Sequence, residues 1–391
     1  MPATWLRLMV VSDLHVSDPV LVRSESWVAP DSDEGDYRNH PLAGLEELIK
    51  SEGLSCDVLL CPGDVGHKGY RAGITYGWRW LQTLGGSLGA ELLATTGNHD
   101  LQISGRPSPT GALRALRPRF PTRDDNSRNE YWSRHFAVIR TDTLRLVLLN
   151  TCAHQVDATS STQGKVDTET LNELEDALLA MPTSGVNILV CHHHPFRYGD
   201  IDLTDYSEMN GGHLLLERLG SGKIGQWLVI HGHKHWPHLA YAPGGATSAT
   251  VFGAGSSSAV LYPDLATKVR NQVYLIEIPL DVVATTGLVG IFRSWEWSCA
   301  TGWRVARGGN GLPPKGGFGS RIGMKPAVSA ITGEVMSASA PFLDWEQLVG
   351  KLPWLRYVLP NDIDAIVEQL ERGHGIRVLT YAGSPASVTK P

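Results

Sequence analysis

Six apolar runs of strand length recur through the first 300 residues of this chain, and five of them stop directly before a cluster of Asp, His or Asn. The runs are "LRLMVV" (Leu6 to Val11), "DVLLC" (to Cys61), "ELLATT" (to Thr96), "LRLVLLN" (to Asn150), "VNILVC" (to Cys191) and "QWLVI" (to Ile230). Each has the length and apolar density of a buried strand. Helical patterns lie between them: "PLAGLEELIK" has Pro41 in a first turn, and "TETLNELEDALLAM" sets Leu171, Leu174, Leu178 and Met181 on one face. Strands alternating with helices predict an α/β layered architecture. In such sheets ligands gather where strand carboxyl ends converge. The five clusters "SDLH", "PGDVGHKG", "GNHD", "HHHPF" and "HGHKH" therefore predict one site.

Composition narrows the function classes. The 391 residues suffice for one large core and a smaller second unit, and no apolar run reaches the roughly 18 to 20 residues of a membrane helix. The opening "MPATWLRLMVVSDLH" turns polar too soon for a signal peptide. Five cysteines without a CxxC pair read as reduced thiols, so the expected compartment is the cytoplasm, with no membrane partner. A net charge of −6 argues against broad adhesion to nucleic acid, though a metal or a local basic patch could still hold phosphate.

The clusters carry metal-binding chemistry. On extended backbone Asp13 and His15 would leave the same face and reach one cation, and so would His233 and His235. Asp64 follows Gly63 at a tight turn, where its carboxylate could bridge two cations. Asn98 offers an amide oxygen, and His99 beside it points elsewhere. Two carboxylates, one amide and several imidazoles suit two borderline divalent ions, Mn, Fe or Zn, with manganese favoured. Calcium or magnesium would call for more oxygen ligands.

The ordered set "DLH", "GDV", "GNHD", "HHP" and "GHKH" resembles the calcineurin-like metallophosphoesterase superfamily, over about residues 5 to 300. "GDVGHKGYRAGITYGWRWL" and "QGKVDTETLNELEDAL" are most similar to its cyclic-nucleotide-phosphodiesterase-like branch. The resemblance implies a two-sheet β-sandwich flanked by helices and a dinuclear metal centre. It implies that Asp13, His15 and His235 hold one metal, that Asp64 bridges, and that Asn98, His233 and the motif histidine of "HHHP" complete the other. His99, cationic, would stabilise developing charge and protonate the leaving group, with Asp100 orienting it. Alternation beyond Cys191 would send His192 and His194 one way and His193 the other. The family places its ligand two residues before the proline, which selects His193, leaving His194 to meet substrate at the rim and His192 to pack.

The implied activity is that of a metal-dependent phosphoesterase, acting on a nucleotide or another small phosphodiester. His67, three residues after Asp64, departs from the aspartate usual in that branch and matches the superfamily's recombination-repair nucleases, so a nuclease on DNA or RNA is the alternative. A non-catalytic binding module on the same fold is a third reading, against which the intact His99 stands. "GGSLG" (Gly85 to Gly89) matches a nucleophile elbow but falls in a helical pattern, and "GSGK" (Gly220 to Lys223) lacks the rest of a P-loop. His40, His154, His213 and His238 read as surface or packing residues, and the tryptophans of "SWEWSCATGW" as the edge of the core. The catalytic domain is expected over residues 1–306, a Gly/Pro-rich linker or loop over 307–325, and a small α+β accessory domain over 326–391 that could serve a protein partner or self-association. In that tail, "FLDWEQLVGKLPWLRYVLP" and "NDIDAIVEQLERG" read as helices, the second capped by Asn361 or Asp362 and closed by Gly373, and "IRVLTY" as a strand.

Overall fold

The computed structural model describes residues 4–32, 35–102, 108–197 and 207–391. Residues 33–34, 103–107 and 198–206 lie outside the described residues. One sheet comprises β1 (Trp5–Val10), β2 (Val58–Cys61), β3 (Glu91–Ala94), β10 (Asn271–Pro279), β11 (Gly290–Ser298), β12 (Gly302–Val305) and β13 (Lys315–Phe318). Its order is β12-β11-β10-β1-β2-β3, with β13 also on β11. A second sheet has the order β4-β5-β6-β7-β9-β8, from β4 (Phe136–Arg140), β5 (Leu144–Leu149), β6 (Val186–Val190), β7 (Trp227–His231), β8 (His238–Tyr241) and β9 (Thr250–Gly253). All six expected strands are present. The first three run parallel in one sheet and the last three parallel in the other.

Side-chain alternation explains the layering. Leu146, Leu148, Ile188, Val190 and Ile230 pack with Leu8, Leu59, Leu60 and Ile276 in a core shared by the two sheets. The intervening Val147, Leu149, Leu189 and Val229 face the other way, onto Leu171, Leu174 and Leu178 of the helix Thr168–Leu179. Both faces of the second sheet are thus buried, which is why its strands read as unbroken apolar runs. The sandwich brings the carboxyl ends of β1, β2, β3, β6 and β7 to one place. Trp295 and Trp297 of β11 are buried, as expected. "GGSLG" falls at the end of the helix Arg71–Leu88, so no nucleophile elbow forms.

The tail is a winged helix-turn-helix. It comprises the helices Met324–Ser337, Trp345–Lys351 and Pro360–His374 and a sheet ordered β14-β16-β15, from β14 (Phe342–Asp344), β15 (Arg377–Tyr381) and β16 (Ser384–Thr389). The first helix, β14 and β16 were not expected; Phe342–Asp344 at the head of the stretch read as one helix is a strand, and the rest of it divides into the helix Trp345–Lys351 and a 3-10 turn over Pro353–Tyr357 that starts at its proline. The last helix begins at Pro360, ahead of the expected cap, and ends at Gly375 in the left-handed conformation, not at Gly373. The stretch expected as a linker contributes β13, paired with β11 through Gly290↔Phe318 and Arg293↔Lys315. Its glycines make this fit: a Cβ on Gly317 would stand 2.0 Å from the Arg356 carbonyl oxygen.

Candidate metal centre

Five of the expected metal ligands, Asp13, His15, Asp64, His233 and His235, have positive φ angles of 52°, 49°, 53°, 79° and 53°. Such conformations are costly for residues with a Cβ and cluster at functional sites. The same-face argument from extended backbone therefore does not apply, although the side chains still converge. Neighbouring loops hold the turns in place. Ser256 Oγ donates to the Asp13 carbonyl at 2.6 Å, and the Tyr131 hydroxyl accepts from Thr96 N at 2.8 Å. A Cβ on Gly97 would lie 2.0 Å from Asp64 N, so only glycine lets the "GNHD" turn approach that closely.

One group of donors is Asp13, His15 and His235. His15 Nε2 lies 2.9 Å from His235 Nε2, and Asp13 Oδ1 lies 3.8 and 3.5 Å from those two nitrogens. The tautomers follow from the partners. Glu25 accepts from His67 Nε2 at 2.5 Å, so His67 Nδ1 is left to accept from His15 Nδ1 at 2.9 Å. The lone pair of His15 Nε2 then points at His235 and Asp64. Burial pushes the Asp13 carboxyl up, but His15 and His235 against it hold it well below the usual carboxylate range.

A second group forms around Asp64, Asn98, His192 and His233. His192 Nδ1 donates to the Pro62 carbonyl at 2.8 Å, which turns Nε2 toward Asn98 Oδ1 at 2.8 Å and Asp64 Oδ2 at 3.3 Å. His233 Nδ1 lies 3.0 Å from Asn98 Oδ1, and the Asn98 amide nitrogen donates to Ser161 Oγ. Asp64 Oδ2 is also 3.4 Å from His15 Nε2, so one oxygen faces both groups. Within the triplet the structure departs from expectation: His193 is not the imidazole turned toward Asp64 and Asn98. Its Nε2 donates to the Ser161 carbonyl at 2.9 Å and its Nδ1 accepts from Thr151 Oγ1 at 2.8 Å, although its ring also stands in one potential ligand group with His192 and His233. His194, expected at the rim, is buried and stacks on His233 with ring centroids 5.9 Å apart.

These donors fit two divalent cations. Ligand atoms about 2.1 Å from one cation at near-right angles sit about 3 Å apart, the spacing found between His15 and His235 and between His192 and Asn98. Asp64 Oδ2 and His233 Nε2 are buried without a hydrogen-bond partner. With protein groups alone, His192 is pushed up to about 9, because the Asp64 carboxylate overrides burial and a proton takes the place a cation would occupy.

His99 stands beside both groups, 4.7 Å from the His15 ring and stacked 4.8 Å from His67. Burial pushes it down to about 3, so at neutral pH it is a neutral donor and not the cation expected. Asp100 does not orient it. The two Asp100 oxygens accept from Gly66 N at 2.8 Å and Gly97 N at 2.9 Å, whereas His99 Nδ1 is buried without a partner. A cleft of about 990 Å³ opens over His15, Asn98, His99, His233 and His235, with Lys68, Lys268 and Tyr262 on its walls. Sequence reasoning missed Glu25 and Tyr131, which lie far from the motifs in the chain and carry no signature of their own.

A family model for calcineurin-like phosphoesterases matches residues 6–253, and one described as "wHTH-Calcineurin_assc" matches residues 316–372. No curated protein matches the chain. Among solved structures it is similar to purple acid phosphatase PPD1 from yellow lupin (11% identity, TM-score 0.45, 74% of this chain and 52% of that one). It is also similar to a 5'-nucleotidase precursor from Thermus thermophilus (13% identity, TM-score 0.34, 70% of this chain and 51% of that one). A third is calcineurin-like phosphoesterase YfkN from Bacillus subtilis (11% identity, TM-score 0.35, 81% of this chain and 90% of that one). The chain spans about half the length of the first two. With the match covering residues 6–253 of 391, the chain belongs to the calcineurin-like phosphoesterase family.

Proposed function

We propose that this chain is a dinuclear-metal-dependent phosphodiesterase acting on a nucleotide or another small phosphodiester. The observation that carries the reading is Asp64 Oδ2, buried without a hydrogen-bond partner between two sets of inward-facing donors. Asp13, His15 and His235 would hold one cation, Asn98, His192 and His233 the other, and Asp64 would bridge. Such ions polarise a phosphoryl oxygen and activate water for in-line attack. The protein's own residues supply the rest. Glu25, through His67, fixes the ring of His15, an arrangement that orients a ligand and raises its basicity. His99, neutral and facing the cleft, can donate an N–H to a phosphoryl or leaving-group oxygen. Lys68 and Lys268 screen the charge of an incoming phosphate.

His67 favours a nuclease over a mononucleotide diesterase as a second reading, because it is seated between His15 and His99, at the mouth of the same cleft. The test compares wild type with Asp64→Asn, loaded with manganese, on bis-p-nitrophenyl phosphate, p-nitrophenyl phosphate, cyclic mononucleotides and single-stranded DNA. The expected result is at least a hundredfold loss of diester hydrolysis together with loss of bound metal. Full metal content and full hydrolysis in Asp64→Asn would end the proposal.

A further inference from the structure

Beyond the metal centre, positive charge is concentrated on one face of an otherwise acidic chain. The segment "RALRPRFPTR" carries Arg114, Arg117, Arg119 and Arg123 with no acid among them, and all four are exposed. Arg114, Arg117, Arg119 and Arg128 line one hollow of about 340 Å³, together with Asn129 and Trp132. Among the described residues, Asp124 acts on Arg128 through its charge, and Asp125 is the acid in contact. It is taken by Arg128 and lies 4.0 Å from Arg119, while Arg114 and Arg117 have no acid within 4.0 Å. The Arg114 guanidinium carbon lies over the Trp132 indole, 4.5 Å from its centroid, a contact that spends little of its donor capacity. Its Nε donates to Thr110 Oγ1, and Arg117 donates only to the neighbouring Leu116 carbonyl. Like charges gathered around a hollow repel.

The hollow is built on the same support as the metal centre. The helix Asp125–Arg134 supplies Arg128 and Trp132 to the hollow and Tyr131 to the "GNHD" turn. The arginine segment returns to the end of β3, where Ala94 N donates to the Pro121 carbonyl at 3.1 Å, four residues before Asn98. Planar guanidinium groups with spare parallel N–H donors match phosphate oxygens two at a time. The winged helix offers a poorer surface for the same ligand: the helix Pro360–His374 exposes Asp362, Asp364, Glu368 and Glu371 against Arg372. A Cβ on Gly316 of β13 would come within 2.8 Å of Pro360, so the amino-terminal end of that helix abuts the catalytic sheet instead of standing free to enter a groove.

We infer that the Arg114/Arg117/Arg119/Arg128 face is a docking site for the phosphodiester backbone of a single-stranded nucleic acid. Only the fate of the bound strand rests on the phosphodiesterase reading; the binding does not. A concave arginine array suits a flexible strand, because duplex readers present a projecting helix or ribbon.

The experiment measures fluorescence anisotropy of a labelled twelve-nucleotide single-stranded DNA on the full chain in EDTA, where cleavage is suppressed, at several salt concentrations between 50 and 200 mM. The variants are Arg114→Ala, Arg117→Ala and Arg119→Ala, singly and combined. Each single variant is expected to weaken binding about threefold to tenfold, and the triple variant at least about thirtyfold. The slope of log Kd against log salt should fall by about 2, near 0.7 for each lost phosphate contact. Unchanged thermal unfolding would show that the exposed positions fold normally. Equal oligonucleotide affinity in wild type and triple variant would overturn the inference. So would a twelve-residue glutamate peptide that binds as tightly as the oligonucleotide and loses as much in the triple variant, since the face would then dock an acidic protein. Bis-p-nitrophenyl phosphate, too small to span both sites, separates the two proposals. If the manganese-loaded wild type hydrolyses it but the triple variant binds DNA normally, the docking site is wrong and the phosphodiesterase reading stands. If no diester is hydrolysed yet the triple variant loses the strand, the docking site stands alone.

Discussion

His192 and His193 are adjacent imidazoles in opposite circumstances. His192 keeps a lone pair facing Asp64 and Asn98, whereas both nitrogens of His193 are committed to Thr151 and Ser161. His192→Asn is therefore expected to lose about one of two bound manganese equivalents, and His193→Gln to retain both, as measured by plasma mass spectrometry on desalted protein. The His193 variant should instead lose about 1 to 2 kcal/mol of stability through its broken buried hydrogen bonds. A pH prediction follows from His231, which burial pushes down to about 4. Because its folded value lies below the unfolded one of about 6.5, its contribution to stability is complete above about pH 6.5 and is lost as the pH falls toward 4. In metal-free protein, His231→Asn should flatten the dependence of unfolding free energy on pH between about 4.5 and 6 by about 1.4 kcal/mol per unit. Urea titrations at several pH values check this. The residue types of the centre were legible because the motifs are local. The choice between His192 and His193 was not, because β6 ends at Val190 and side-chain alternation stops where the strand does.

At the scale of elements, strands were easier to find than the loops that follow them. Burial on both faces writes a strand into the sequence as an apolar run, as in "LRLVLL". A loop is held by partners far away in the chain, and the "GNHD" turn depends on Tyr131, 35 residues from Thr96. Tyr131→Phe removes a buried hydroxyl that accepts from Thr96 N and exchanges hydrogen bonds with Thr95 Oγ1 and Thr96 Oγ1 at 2.9 Å. The expected cost is about 1 to 3 kcal/mol of stability, with several-fold weaker manganese binding, read by calorimetric melting and by isothermal titration. Unaltered metal affinity would mean that the turn is held by its other contacts. The helix Met324–Ser337 escaped notice for a local reason: Pro326 and Gly333 interrupt the pattern, although Ala327, Val328, Ile331 and Val335 make a buried face.

For the whole molecule, the winged helix is attached to the catalytic sandwich by more than chain connectivity. Lys315 pairs with Glu346 at 2.8 Å, and Ser320 N donates to the Tyr357 carbonyl at 2.9 Å. The Arg321 guanidinium lies 3.7 Å from the centroid of Tyr241 and donates to Ser248 Oγ at 3.1 Å. The tightest approach is Gly317 against Arg356. Gly317→Val is expected to force the two apart and split one thermal transition into two, with the metal centre unaffected, as followed by calorimetry and by proteolysis between residues 307 and 325. A single unchanged transition would show that the interface absorbs the side chain.

The same strand bears on how the protein is made. β13 lies within the Gly/Pro-rich stretch, yet it covers Gly290 to Arg293 of β11, which without it would present an open edge. As the chain leaves the ribosome, the catalytic sheet stays unfinished until residue 318 has emerged, long after every residue of the metal centre is available. A gene fragment stopped at the compositional boundary near residue 306 would hold the whole site and still carry a template for strand pairing between copies, so aggregation, not inactivity, would be its first failure.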